Sequence, residues 1–200
     1  IQSFFHAVSI DNKNYIAYNN LGMTYWMKNN LDCAEKYFKK AASVSKYYPQ
    51  PYINLALLYK QKGDMAKHLT YLKKALEVNP NNYWTYYLLG DYYTSIEDYP
   101  ESIAHYINAI DINPNFAPPY LALGISYFKT DKYNQSIVAL KNYLELNPNS
   151  DFAYSILAKN YYIMGDYETA KKFMKKAFSL NPTSTYRMEL AKVQFNAGEY

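Results

Sequence analysis

Apolar and polar positions recur along the chain with a period of 34 residues. One tyrosine column shows this period directly: Tyr18, Tyr52, Tyr86, Tyr120 and Tyr154. A leucine stands three residues after each of these tyrosines, a small residue follows the leucine, and a second tyrosine comes three residues later. This spacing of i, i+3, i+4 and i+7 is that of one face of an α-helix. A second apolar stripe at helical spacing completes each period, so the pattern predicts two amphipathic helices per repeat.

The breaks between these helices are also visible. In the stretch 151–184, Gly165 and Asp166 separate the two predicted helices, and Pro182 ends the second one. Proline ends a helix because it lacks a backbone donor and disfavours the helical conformation in the residue before it. Four Asn-Pro pairs stand at this place in successive periods: Asn79-Pro80, Asn113-Pro114, Asn147-Pro148 and Asn181-Pro182.

A period of this length predicts an all-α fold, an α-solenoid of stacked antiparallel helix-turn-helix repeats. The expected domain is a single array over residues 1–200, which begins with the second helix of a partial repeat at 1–14 and ends with the first helix of another at 185–200. Because both ends fall inside a repeat, we expect the chain to be a fragment of a longer array. The full repeats are 15–48, 49–82, 83–116, 117–150 and 151–184.

The composition argues against several classes of protein. Arg187 is the one arginine among 21 basic residues, and arginine is the side chain best suited to forked contacts with phosphates and bases. This argues against nucleic-acid binding, and the net charge of +4 is mild. No apolar stretch approaches the roughly 20 residues of a membrane-spanning helix. The single Cys33 excludes an internal disulfide and fits a reducing compartment, so we expect a cytoplasmic protein.

Catalytic chemistry has little support in the sequence. The three histidines, His6, His68 and His105, fall in separate repeats. No zinc-binding His-Glu-x-x-His, phosphate-binding glycine loop or nucleophile elbow occurs. We therefore expect no enzyme activity, no metal and no cofactor.

The repeated columns resemble the tetratricopeptide repeat. The stretch 49–82 carries the resemblance closely, with Tyr52, Leu55, Ala56, Tyr59, Gly63, Ala75 and Pro80. The departures are local, since Asn29, Glu97 and Asp131 stand where other repeats have the turn glycine. The resemblance implies a right-handed superhelix whose first helices line a concave groove. It also implies a non-catalytic scaffold that binds an extended peptide or a helix of another protein.

Carrying the groove positions of the family onto this chain predicts an unusually apolar and aromatic surface. Such a surface in a groove suits a partner peptide or helix, although it could also pack within a longer parent protein. The implied binding residues are Asn19, Asn20, Met23, Trp26, Ile53, Asn54, Leu57, Trp84, Tyr87, Asp91, Leu121, Ile125, Phe128, Lys159 and Tyr162.

Two known binding modes of the family can be compared with these positions. Some members clamp a C-terminal carboxylate with lysine and asparagine, but Asn19 and Met23 stand at those positions here, and Trp84 at a basic position two repeats on. We expect no carboxylate clamp. Other members hold a peptide backbone with a ladder of asparagines, of which Asn20 and Asn54 would be two rungs. An asparagine pair that grips a peptide therefore stays open.

Two further expectations concern packing. The apolar ends of the array, with Phe4, Leu190 and Phe195, allow an alternative function in which the chain associates with itself to build a homo-oligomer or a larger assembly. His68 occupies a position where other repeats have alanine or serine. We expect its bulky ring to spread the hairpin or to point to the edge.

Overall fold

A computed structural model describes residues 2–45 and 47–198, which form twelve α-helices and no strand. No helix among them combines the length and the apolar character that crossing a bilayer requires. The helices are α1 (Gln2–Ile10), α2 (Tyr15–Met27), α3 (Leu31–Val44), α4 (Gln50–Gln61), α5 (Met65–Val78), α6 (Tyr83–Ser95), α7 (Tyr99–Ile112), α8 (Pro118–Lys129), α9 (Tyr133–Leu146), α10 (Asp151–Ile163), α11 (Tyr167–Leu180) and α12 (Ser184–Asn196).

The chain divides into two compact units, an N-terminal unit of residues 1–89 and a C-terminal unit of residues 90–200, with the division inside α6. In the N-terminal unit, α2 pairs with α3 and α4 pairs with α5 as hairpins, and α3 also packs on α4. In the C-terminal unit, α8 pairs with α9 and α10 pairs with α11 in the same way. The all-α fold of stacked helical hairpins that the sequence predicts is confirmed.

The turn inside each hairpin uses one residue in the left-handed region of backbone space. Gly63 and Gly165 adopt φ values of +79° and +82°, which glycine reaches without steric cost. Asn29, Glu97 and Asp131 adopt φ values of +58° to +60° at the equivalent positions. The turn geometry is therefore retained where glycine is replaced, and at Glu97 the backbone is strained.

Helix ends follow the signals in the sequence. Asp64 and Asp166 cap the second helices of their hairpins, because their carboxylates accept hydrogen bonds of 3.0 Å from the backbone N–H of Lys67 and Thr169. At the other end, α5, α7, α9 and α11 each stop one residue before the asparagine of an Asn-Pro pair. The leucine column is buried between the helices along the whole array.

His68 differs from its expected position. Its side chain is completely buried in the α4–α5 hairpin, and Nδ1 lies 2.8 Å from the carbonyl oxygen of Ala56. The expectation that the ring points to the edge is wrong. Burial is tolerated because the backbone carbonyl replaces a hydrogen bond that the imidazole would otherwise make with water.

Tyrosines of both columns stack against a ring of the second helix in the first and the last full repeat. Tyr37 stacks on Tyr25, with ring centroids 5.4 Å apart, and its ring also lies 6.5 Å from Tyr18. In the last full repeat Phe173 makes the same pair of contacts with Tyr154 and Tyr161, at 6.1 and 5.6 Å. One ring from the second helix thus contacts a tyrosine of each column, an arrangement that adds stacking energy to the burial of apolar surface.

Candidate functional site

In the C-terminal unit, the predicted binding residues from Leu121 to Tyr162 lie on the first helices α8 and α10. We call the side formed by α8, α10 and α12 the first-helix face of this unit. Leu121, Ile125 and Phe128 share one face of α8, and all three are half-buried. Their inner sides pack against the apolar core between α9 and α10. The packing holds these side chains in position while part of each remains open to solvent.

A pocket of about 260 Å³ opens at this face and brings together Phe128 of α8, Lys159 and Tyr162 of α10. The buried side chains of Ala158, Met174 and Val193 also line it, so its floor is apolar. The sequence placed Phe128, Lys159 and Tyr162 in one groove, and in the structure they line one pocket. Such a concave apolar site can accept an apolar side chain of a partner.

Polar contacts from α12 fix the rim of the pocket. Lys159 Nζ lies 2.9 Å from Glu189 Oε1, an ion pair that joins α10 to α12. Lys192 Nζ lies 5.2 Å from the centre of the Tyr162 ring, within the range of a cation–π contact. The Asn196 side chain donates a hydrogen bond to the Tyr162 hydroxyl. The sequence prediction missed Glu189 and Lys192, because it considered only the five full repeats.

In the N-terminal unit, three of the predicted binding residues lie in the interior. Asn19 on α2 and Ile53 and Asn54 on α4 are all at least nine-tenths buried. Asn54 Nδ2 donates a hydrogen bond of 2.9 Å to Asn19 Oδ1, and Gln50 Nε2 donates one of 3.1 Å to Asn54 Oδ1. These carboxamides join α2 to α4 through the bond between Asn54 and Asn19.

Of the two asparagines expected to grip a peptide backbone, Asn54 is therefore bonded to Asn19 inside the unit, and Asn20 takes no part in this pair. The two paired residues are 35 positions apart, one more than the repeat. The extra residue arises because the crossing angle of the two helices decides which side chains meet. The sequence period does not specify that angle. Asn20 is half-buried, and its backbone carbonyl accepts a hydrogen bond from Thr24.

The other predicted residues of the N-terminal unit reach solvent. Met23 and Trp84 are exposed, whereas Trp26, Leu57 and Tyr87 are half-buried. Trp26 Nε1 donates a hydrogen bond to Gln61 Oε1 on the neighbouring first helix α4. The rings of Trp84 and Tyr87 lie 5.4 Å apart on α6. These contacts hold large apolar side chains at the surface, with part of each ring or chain open.

Asp91, in the C-terminal unit, makes contacts that the sequence did not reveal. Its carboxylate accepts a hydrogen bond of 2.8 Å from the Tyr106 hydroxyl on α7. Burial, together with the negative charge of Asp91, raises the pKa of Tyr106. Thr94 lies 3.1 Å from the Tyr106 hydroxyl and 2.6 Å from the Ser102 hydroxyl, so a polar network runs through this hairpin. Its signals in the sequence were the hydroxyl of Tyr106, where other repeats have phenylalanine, leucine or methionine, and the carboxylate of Asp91.

Comparison with protein families gives matches over most of the chain. Models described as "Tetratricopeptide repeat" match residues 16–46, 49–82, 71–104, 117–150 and 151–184. A model described as "TPR repeat" matches residues 90–131. The comparison with curated proteins gives no match.

Solved structures share this fold. One is described as "Crystal structure of YrrB: a TPR protein with an unusual peptide-binding site", with a TM-score of 0.80 and 18% identity over 94% of this chain and 97% of that one. The PilF protein of Pseudomonas aeruginosa has a TM-score of 0.77 and 19% identity, over 92% and 86%. The MamA protein has a TM-score of 0.76 and 23% identity, over 86% and 93%. At these identities the likeness shows the fold alone.

Proposed function

The chain belongs to the tetratricopeptide repeat family, and from this premise we propose that it is a non-catalytic scaffold that binds another protein. Repeat arrays of this kind offer an extended surface made of many similar helices. YrrB, which shares the fold, is described as having a peptide-binding site. The partner proposed for this chain is an extended peptide or a helix.

The observation that carries the proposal is the pocket of about 260 Å³ on the first-helix face of the C-terminal unit. Its apolar walls suit a buried aliphatic or aromatic anchor, which is the usual energetic centre of a protein interface. The ion pair of Lys159 with Glu189 at its rim can bond the backbone or polar groups on either side of that anchor. Met23, Trp26 and Leu57 are the proposed contacts in the N-terminal unit.

We propose further that binding does not use a carboxylate clamp. Asn19, at the lysine position of such a clamp, is buried and bonded to Asn54. Trp84 and Leu88, two repeats on, carry no charge that could hold a carboxylate. Recognition would therefore depend on apolar anchors along the peptide and not on its C-terminus.

The experiment uses a fluorescent peptide selected on the intact chain from a random library of short displayed peptides. We expect Phe128→Ser combined with Tyr162→Ser to weaken its binding by about tenfold or more, because two walls of the pocket are lost. Ile112→Ser, at an exposed apolar position on the second helix α7, is the matched control and should bind normally. Circular dichroism checks that each variant is folded. Equal affinity of the pocket variant and the wild type would refute the proposal.

Self-association is a second candidate, because Met188 and Phe195 on α12 are about two-thirds exposed. Exposed large apolar side chains on one helix can form an interface between copies of a chain. Light scattering over a range of concentrations tests this: a mass that rises with concentration supports self-association, and a constant monomer mass contradicts it.

A further inference from the structure

The fourth repeat lacks the aromatic ring that the other four full repeats place against the second tyrosine column. Tyr37, Tyr71, His105 and Phe173 occupy this position, 34 or 68 residues apart, and stack on the tyrosine at distances of 5.2 to 5.6 Å. In the fourth repeat the residue is Ala139. The tyrosines of both columns are still present, as Tyr120 and Tyr127.

The missing ring leaves an open cleft of about 410 Å³ on the second-helix face of the C-terminal unit, between α7 and α9. Tyr120, Tyr127, Leu123 and Ala139 line it, so it lies where the stacked ring would be. Val138 and Ile107 form its outer edges and are 59% and 38% exposed. A void of this size next to two tyrosines forgoes the contacts that rings make in the other repeats.

In other repeats a lysine side chain lies over the stacked ring, and the cleft lacks this lysine cover. In the N-terminal unit, Lys36 Nζ lies 5.9 Å from the centre of the Tyr37 ring, and Lys74 Nζ lies 5.3 Å from that of Tyr71. The residues at these two repeat positions in the fourth repeat are Val138 and Asn142. The cleft is therefore open, and no charged side chain lines it.

Polar groups at the rim are available for a ligand. Asn134, Gln135 and Asn142 line the cleft, and their carboxamides make no hydrogen bond with any other residue in the described part of the chain. A carboxamide can both donate and accept, which suits the backbone of a peptide. An uncharged lining disfavours a charged side chain, because a charge that leaves water without a partner is costly.

We propose that this cleft binds an uncharged aromatic side chain of a partner peptide, which inserts between Tyr120 and Tyr127 and takes the place of the missing ring. The carboxamides at the rim bond the peptide backbone beside the anchor. The site is separate from the pocket of Phe128 and Tyr162, so it is a second recognition surface and does not depend on the first.

The probe is a capped pentapeptide with tyrosine between two pairs of glycines, compared with the same peptide carrying lysine at the centre. Its binding is followed by NMR through the methyl groups of Leu123 and Val138, which line the cleft. The tyrosine peptide should shift these signals in a saturable way, because its ring current acts on nearby methyl groups, and the lysine peptide should not. The absence of a saturable shift would overturn the proposal.

Two variants locate the site. Ala139→Phe supplies the ring within the chain and should lower the affinity for the tyrosine peptide by about tenfold or more, because the new ring fills the cleft. Val138→Lys with Asn142→Lys restores the lysine cover at exposed positions. This double variant should also lower the affinity for the tyrosine peptide, and it leaves the core unchanged. Leu146→Lys, elsewhere on α9, is the control and should bind normally.

Unchanged affinity in the folded Ala139→Phe protein and in the double lysine variant would place the peptide elsewhere and refute the site. A shift of the same methyl signals when the chain alone is diluted would identify a second copy as the occupant, and would overturn the assignment to a partner peptide.

Discussion

At the scale of the residue, polar side chains inside the hairpins are held by backbone carbonyls. His68 Nδ1 lies 2.8 Å from the carbonyl oxygen of Ala56, and Ser136 Oγ donates a hydrogen bond of 2.7 Å to that of Gly124. His68 and Ser136 occupy the same position in their repeats, as do Ala56 and Gly124. The carbonyl at this repeat position thus accepts a hydrogen bond from histidine in one repeat and from serine in another. This shared acceptor explains how a histidine fits a position where other repeats have a small residue.

Substitution of His68 tests this interpretation. His68→Ala should lower the free energy of unfolding by about 2–4 kcal/mol, because it leaves a cavity and removes the hydrogen bond to the carbonyl of Ala56. His68→Ser leaves a similar cavity but can bond the carbonyl of Ala56, so it should be about 1 kcal/mol more stable than the alanine variant. Urea unfolding measures both values. If the alanine variant were as stable as the serine variant, the hydrogen bond would contribute nothing to stability.

At the scale of the element, the closeness of two helices in a hairpin depends on pairs of residues. A Cβ atom added to Gly22 would lie 2.5 Å from ring atoms of Phe38, which is closer than atoms can approach. The next repeat has Ala56 and Leu72 at the same two positions. In these two repeats the large ring on the second helix faces glycine and the smaller leucine faces alanine, whereas the fourth repeat places Gly124 against Leu140.

A double-mutant cycle on this pair tests the coupling. Gly22→Ala alone should destabilise the chain by about 1–3 kcal/mol, because overpacking outweighs the better helix propensity of alanine. In the presence of Phe38→Leu, the same change should become neutral or stabilising by up to about 1 kcal/mol. Denaturant unfolding of the four proteins measures the interaction. Additive effects would contradict the steric account.

A cluster of charges ties α3 to α4 in the N-terminal unit. Glu35 accepts hydrogen bonds from Lys39 and Tyr59, both at 2.6 Å, and from Lys62 at 2.8 Å. Burial alone would raise the pKa of Glu35, but the hydrogen bonds from Lys39, Lys62 and Tyr59 outweigh it and lower the pKa from 4.5 to about 2. The folded state therefore holds the ionised carboxylate more strongly than the unfolded chain does.

Because the pKa of Glu35 is lower in the folded state, its stabilisation is complete above pH 4.5 and is lost as the pH falls towards about 2. Glu35→Gln should cost on the order of 1 kcal/mol at pH 7, since solvent screens a cluster at the surface. The difference from the wild type should shrink across this acid range. Unfolding curves at several pH values measure it, and a difference that is independent of pH would contradict the assignment.

The local signals in the sequence predicted the elements well. Asn-Pro pairs and glycine or aspartate at the turns determine backbone geometry over a few residues, so they locate helix ends without knowledge of tertiary contacts. Contacts between repeats are different. The pairing of Asn54 with Asn19 and the bond of Tyr106 to Asp91 depend on how helices cross, and the sequence period does not contain that information.

The sequence predicted the candidate site only in part, because the period does not reveal which side chains the helix packing buries. The resemblance placed Phe128, Lys159 and Tyr162 on one surface, and they line one pocket. It also placed Ile53 there, which is buried. The cleft at Ala139 was visible in the sequence only as a break in an aromatic position. Its meaning became clear once the structure showed that the other rings stack on the tyrosine columns.

At the scale of the whole molecule, the regular columns maintain the fold, and the proposed recognition surfaces occur where single repeats depart from them. The tyrosine and leucine columns bury or stack in repeat after repeat, whereas the pocket and the cleft occur where individual repeats differ. Column residues such as Tyr120, Leu123 and Tyr127 thus serve the fold and also line the proposed cleft, which is open because Ala139 departs from its column. Variants of the two surfaces should change binding with little effect on folding.

The central claim is that a partner peptide lies on the first-helix face. Photo-crosslinking tests it most directly, with benzoyl-phenylalanine placed at Phe128, at Tyr162 or at the control position Ile112, and with the peptide selected on the intact chain. We predict efficient crosslinks from positions 128 and 162 and none above background from position 112. Crosslinks from position 112, with none from positions 128 and 162, would contradict the account.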